Sequence, residues 1–173
     1  MSLLPIMTYG AAVLRKVAQP VSDIDQELQR LIDDMAETMF SAPGVGLAAP
    51  QVGVSSRIVV ITSLEDLEKR DFVALINPEI ISTEGEEVAE EGCLSVPELR
   101  MEVPRAETVR VRALDRQGKP VEIEGAGLTA RILQHEIDHL NGLLFIDRLS
   151  PAKRDMIKRK LRKERAQLTG DAP

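Results

Sequence analysis

Two histidines four residues apart, in Gln134-His135-Glu136-Ile137-Asp138-His139-Leu140, restrict this chain more than any other stretch. Residues at that spacing lie one above the other on a helix face, so His135 and His139 can share one metal ion only if the segment is helical. Glu136 is then the acid nearest the ion. In a His-Glu-x-x-His site the carboxylate takes a proton from metal-bound water and returns it to a leaving group, the arrangement of a metal-dependent hydrolase. The same spacing also occurs on amphipathic helices that bind no metal, and the other ligands available decide between the two. The chain holds two His and one Cys, so a third nitrogen or sulfur ligand must be Cys93, in Glu91-Gly92-Cys93-Leu94-Ser95-Val96-Pro97. Alone, Cys93 reads as a small buried apolar residue. Beside two histidines it completes a set that leaves one position of a tetrahedral ion open, as catalysis requires.

The helix that carries the motif begins near Gly127 and stops near Gly142. At 100° per residue, Leu128, Ile132, His135 and His139 fall within a stripe about 60° wide, and Leu133, Ile137 and Leu140 extend the apolar face. Such a helix is largely buried. Leu128 and Ile132 form an apolar wall one turn from the metal, and Arg131, Gln134 and Asp138 a polar side. Upstream, Leu28, Leu31, Ile32, Met35 and Met39 recur at helical spacing after a cap at Ser22, Asp23 or Asp25. Those methionines read as core rather than as ligands. Val13-Leu14-Arg15 make a short helical turn before Pro20. Residues 57–62 and 72–76 are β-branched, apolar strands, and 79–91 is expected to hold two short strands with a solvated acidic face. Within that run Glu91 is placed to support a ligand or to meet Arg105. Arg110 and Arg112 alternate with Val109, Val111 and Ala113, and Glu122 and Glu124 with Val121 and Ile123, which predicts a hairpin with opposite charges facing. Pro151 opens a last helix, to about residue 166, carrying Met156, Ile157 and Leu161. The pattern is α+β: antiparallel or mixed sheets packed around a central buried metal-binding helix, with further helices toward each end.

Composition limits what such a fold can do. A chain of 173 residues suits one domain, here expected over 1–168 with a disordered tail at 169–173. With 2% aromatic residues the core must be aliphatic. No apolar run approaches the ~18 residues of a membrane span. The opening residues lack a basic start, a long apolar stretch and a cleavage site, so a cytoplasmic protein is expected. A lone cysteine suits a reducing compartment. The net charge of −6 argues against DNA as a partner, but it is unevenly spread. Residues 153–165 hold eight bases against two acids, so +6 on one helix leaves −12 for the remainder. A solvated face is the plain explanation. The contrast would also draw that helix to phosphate.

Gly44-Val45-Gly46 is no dinucleotide fingerprint, because it follows a helix rather than a strand and Ala49 stands where a third glycine belongs. Its glycines suit a loop lying against a substrate, with Val45 and Gly46 in contact. Gln51 is the residue of that loop able to donate to a carbonyl oxygen.

Three stretches, in order, resemble peptide deformylases of the bacterial type: Gly44-Val45-Gly46-Leu47-Ala48-Ala49-Pro50-Gln51, Glu91-Gly92-Cys93-Leu94-Ser95, and Gln134-His135-Glu136-Ile137-Asp138-His139. The likeness runs through nearly the whole chain, apart from Tyr9-Gly10-Ala11-Ala12, where that family more often has a proline-bearing surface turn. The resemblance implies a metalloenzyme that removes the formyl group from the N-terminal formyl-methionine of new polypeptides, releasing formate by attack of metal-bound hydroxide. It implies Glu136 as general acid and base, with the Gln51 amide and the Leu94 backbone N–H as oxyanion donors. It also implies Fe2+ as the working metal, with Zn2+ or Ni2+ able to substitute; the ligand set itself does not choose. An enzyme acting on nascent chains would gain from contact with the ribosome through the basic helix. Two rivals are an ordinary metallopeptidase, which usually takes His or Glu as third ligand, and a non-catalytic metal-stabilised module, which has no use for Glu136.

Overall fold

The computed structural model describes residues 2–65 and 67–169. Among the described residues seven strands follow one another: β1 (Gly46–Ala48), β2 (Ile58–Thr62), β3 (Phe72–Glu84), β4 (Glu87–Cys93), β5 (Val96–Arg105), β6 (Thr108–Leu114) and β7 (Pro120–Ala126). Five form one antiparallel sheet in the order β1-β2-β3-β6-β7, and β4 and β5 form a separate hairpin. Three α-helices among the described residues cover these layers: α1 (Gln26–Ser41), α2 (Gly127–Leu140) and α3 (Pro151–Thr169).

The β-branched run in β2 has no polar alternation because both faces of the sheet are covered. Ile58 and Val60 pack with Leu28, Ile32, Met35 and Met39 of α1, whereas Val59 and Ile61 pack with Ile132, Leu133, Ile137 and Leu140 of α2. Asp25 is the cap of α1, its carboxylate accepting from the Leu28 amide at 2.9 Å. Full burial of Ile32 and Met35 contributes about 1.5–3 kcal/mol each. On its second side α2 meets the β4–β5 hairpin and the segment after Gly142, where the Phe145 ring stacks on His135 at 6.3 Å. From Ala130 onward, a helix held between two sheets has no wet face. Every residue from Ala130 to Leu140 is buried, including Arg131, Gln134 and Asp138, so the side expected to be polar is lined with ion pairs instead of water.

Other expectations shift for physical reasons. β3 continues past Ile76 to Glu84, so the acidic run divides between the large sheet and β4. β5 is not legible in the sequence: prolines at 97 and 104 and a left-handed Glu98 (φ 65°) interrupt any alternation. The β6–β7 register pairs Arg110 with Glu124 and Arg112 with Glu122, as the charge pattern requires. In α3, Ile157 and Leu161 join a third apolar cluster with Val96, Val103 and Phe145, whereas Met156 is exposed. The helix extends to Thr169, and the rest of the expected tail lies outside the described residues. The turn at Tyr9-Gly10 does more than cover surface. The Tyr9 amide donates to Ser95 O at 2.8 Å, and Arg165 of α3 donates to Tyr9 O at 2.6 Å. Among the described residues no helix is long and apolar enough to cross a membrane.

Candidate active site

α2 carries two candidate ligands one turn apart, and the end of β4 brings the third. The Nε2 atoms of His135 and His139 lie 3.2 Å apart, and Cys93 Sγ lies 3.4 Å from His139 Nε2. All three ligand atoms fall within 4.8 Å of one another. A tetrahedral ion with bonds of about 2.0–2.3 Å requires ligand separations of about 3.4–3.6 Å, so the donors fit a single divalent cation. The two imidazoles stand in opposed electrostatic surroundings. Burial would depress His135, but Glu136 above all, with Cys93 and Glu91, lifts it well above the ordinary histidine range. Burial and the neighbouring His135 push His139 well below that range.

Glu91 orients the first candidate ligand. It faces His135 Nδ1 and is gripped by Arg105, at 2.6 and 3.1 Å, and by Arg131 at 2.8 Å. Burial alone would raise its pKa; hydrogen bonds and charge from His135 and Arg105 outweigh that and hold it well below the usual carboxylate range. Arg105 also pairs with Asp138, and Asp138 with Arg148, so a line of charges runs from the ligand to the surface. Of this network only the Glu91 contacts were legible beforehand. A carboxylate bound to an imidazole ligand fixes its tautomer and ring plane.

Glu136 points to the other side of the pair. Its Oε2 lies 4.0 Å from His135 Nε2, and its Oε1 is buried without a hydrogen-bond partner. Burial pushes its pKa up to about 7. Gly46, expected in a loop, lies in β1, and its role is close approach: a Cβ there would sit 2.7 Å from Glu136 Oε2. Gln51 is almost fully buried. Its Oε1 accepts from the Ala48 amide at 2.9 Å, which turns its Nε2 toward Ser95 Oγ (3.2 Å) and Cys93 Sγ (3.6 Å). Ser95 is a site residue that sequence reasoning passed over, although it ends the Glu-Gly-Cys-Leu-Ser stretch. Its fully buried hydroxyl and its carbonyl tie Gln51 and the N-terminal segment to the hairpin.

These groups form one wall of a cavity of about 830 Å³, a size that suits a peptide end. Val45, Gly46, Gln51, Leu94, Leu128 and Ile132 line it, together with Cys93, His135 and Glu136. Leu128 and Val45 stand at the open rim, 54% and 41% exposed, whereas Ile132 is 4% exposed and belongs as much to the core as to the cavity. Arg131 and Ile6 also line the cavity, which neither helical periodicity nor motif spacing suggested.

An α+β fold that brings a thiol, two imidazoles and a buried carboxyl to one wall of an apolar cavity defines a candidate metallohydrolase. The polypeptide deformylase family profile matches residues 3–155. The peptide deformylase of Desulfosudis oleivorans is 54% identical over 164 residues, covering 94% of this chain and 95% of that protein. A crystal structure of a peptide deformylase from Legionella pneumophila superposes with a TM-score of 0.87 at 53% identity, covering 99% of this chain and 100% of the other. That of the Thermus thermophilus peptide deformylase gives 0.88 at 45% identity, covering 98% and 99%. The chain belongs to the polypeptide deformylase family, and it is an enzyme of that family.

Proposed function

We propose that the chain removes the formyl group from N-formyl-methionyl polypeptides by hydrolysis at a divalent metal held by Cys93, His135 and His139. The observation that carries this reading is the convergence of those three ligand atoms within 4.8 Å beside a buried Glu136. An ion held by these three residues would supply Lewis-acid chemistry, acidifying a water and polarising a carbonyl oxygen. Glu136, with its pKa near neutrality, accepts the proton of the attacking water and returns it to the departing amine nitrogen. The Gln51 amide and the Leu94 N–H hold the charge that develops on the formyl oxygen, while Ala48 and Ser95 keep Gln51 from turning. Val45, Gly46, Leu128 and Ile132 contact the methionine side chain, whose flexible thioether fills an irregular apolar space well. Ferrous iron is the working ion in this reading, and zinc or nickel can replace it. Cysteine as third ligand favours a deformylase over an ordinary metallopeptidase. We place the enzyme in the cytoplasm, acting on nascent chains, with the basic face of α3 as its contact to the ribosome.

The test is formate release from a formyl-methionyl peptide, measured anaerobically with added iron. Activity should appear with the metal and vanish with a chelator. Elemental analysis of Cys93→Ala should show the metal lost; undiminished metal in that variant would remove Cys93 from the ligand set.

A further inference from the structure

The three candidate ligands come from separate elements. α2 holds both imidazoles, and the thiol sits at the end of a hairpin that is not part of the large sheet. The spacing of sulfur and nitrogen is therefore set by how the hairpin is mounted on the helix. Arg131, one turn before His135, spans that joint. Its Nη2 donates to Glu87 O of β4 at 2.8 Å, and its Nη1 to Val103 O of β5 at 2.9 Å and to Glu91 Oε2 at 2.8 Å. One guanidinium thus grips both strands and the carboxylate that orients His135, two residues before Cys93 on the same strand.

This is a costly way to gain stability. Arg131 is 5% exposed, and its Nε–H has no acceptor. Burying such a cation carries a large desolvation cost, and apolar residues of similar volume often serve stability as well or better. What apolar packing lacks is direction. Hydrogen bonds to two strands and one carboxylate define where the hairpin stands relative to the helix. We propose that Arg131 is a positioning residue for the metal ligands, holding the Cys93 hairpin at the distance from α2 at which Sγ and the two Nε2 atoms fit one ion. The proposal rests on reading those three residues as the ligands.

The experiment uses the full-length protein loaded with Co2+, in which thiolate ligation gives a sulfur-to-metal absorption band, and measures Kd by competition with a chelator. Arg131→Met keeps the length of the stem and removes all donors. It should bind Co2+ about 10–100-fold more weakly, with a diminished thiolate band and with kcat falling more than KM rises. Arg131→Lys keeps a cation beside Glu91 but cannot grip both strands at once, so its Kd should lie between. Melting of the metal-stripped variants measures any cost to the fold separately. A Kd and spectrum like the parent's in Arg131→Met would overturn the proposal, however far the metal-stripped form is destabilised. Should that variant fail to fold, Arg131→Lys decides, an unchanged Kd overturning the proposal and a weakened one supporting it. A parent protein without a thiolate band would overturn the ligand reading itself, and the clamp with it.

Discussion

At the scale of single residues the proposed chemistry depends on one carboxyl group kept out of water. Glu136 is 4% exposed, and burial moves its pKa to about 7, where it can take and return a proton at neutral pH. Glu136→Gln should keep its metal by elemental analysis while turnover falls about 10²–10⁴-fold, the usual loss for a general acid-base group. Turnover near that of the parent would remove Glu136 from the mechanism. The same shift predicts a stability effect in the metal-stripped protein. A carboxyl whose pKa rises from 4.5 to about 7 on folding holds a proton that the unfolded chain has released. Glu136 therefore costs nothing below the unfolded value and costs increasing stability as pH rises through that window. Denaturant melts of chelator-treated protein should show this decline in the parent and a flatter profile in Glu136→Gln; parallel profiles would refute it.

Among the elements, α2 decides most, because it is packed from both sides. Its cavity wall divides into a rim residue, Leu128, and a core residue, Ile132, and a probe of the cavity must respect that difference. A charge at Ile132 would enter the cluster shared with Val59, Val111 and Leu133 and would test folding as much as binding. Leu128→Asp is the cleaner probe. Placing a charge against an apolar side chain at a cost of about 1–3 kcal/mol should lower kcat/KM for formyl-methionyl peptides roughly 10–100-fold. The loss should fall mainly on KM, with metal content and melting temperature close to the parent's. Unchanged kinetics would place the methionine pocket elsewhere.

For the whole molecule, charge separation is the feature that reaches beyond the cavity. α3 cannot simply be cut off to test it. A chain ending after Ser150 would lose Ile157 and Leu161 from the third apolar cluster and the Lys158–Asp147 pair at 3.4 Å. Arg159, Lys160 and Lys163 are exposed, so reversing all three to Glu changes the field and leaves the packing. Peptide turnover should stay within about twofold, since electrostatic steering acts on encounter rather than on the chemical step. Any salt-sensitive co-sedimentation with ribosomes should disappear. Equal sedimentation of the two proteins would leave α3 as packing and a solvated face.

Local spacing and ligand chemistry made much of this protein legible. The four-residue step lets His135 and His139 share one ion only on a helix, the lone Cys93 is the thiol left to join them as a candidate ligand, and the alternation of Arg110 and Arg112 against Glu122 and Glu124 predicts a hairpin. Each is a short-range rule that holds whatever surrounds it. The three-dimensional fold decided what depends on which elements meet. Arg131 and Asp138 read as a wet face because helical periodicity reports polarity, yet a hairpin drawn from residues 87–105 covers them and turns that face into buried ion pairs. β5 stayed hidden because its prolines break the pattern that marks a strand, and it owes its strand form to pairing with β4. The separation of Cys93 from the imidazoles was beyond any local rule, because it belongs to the mounting of one layer on another.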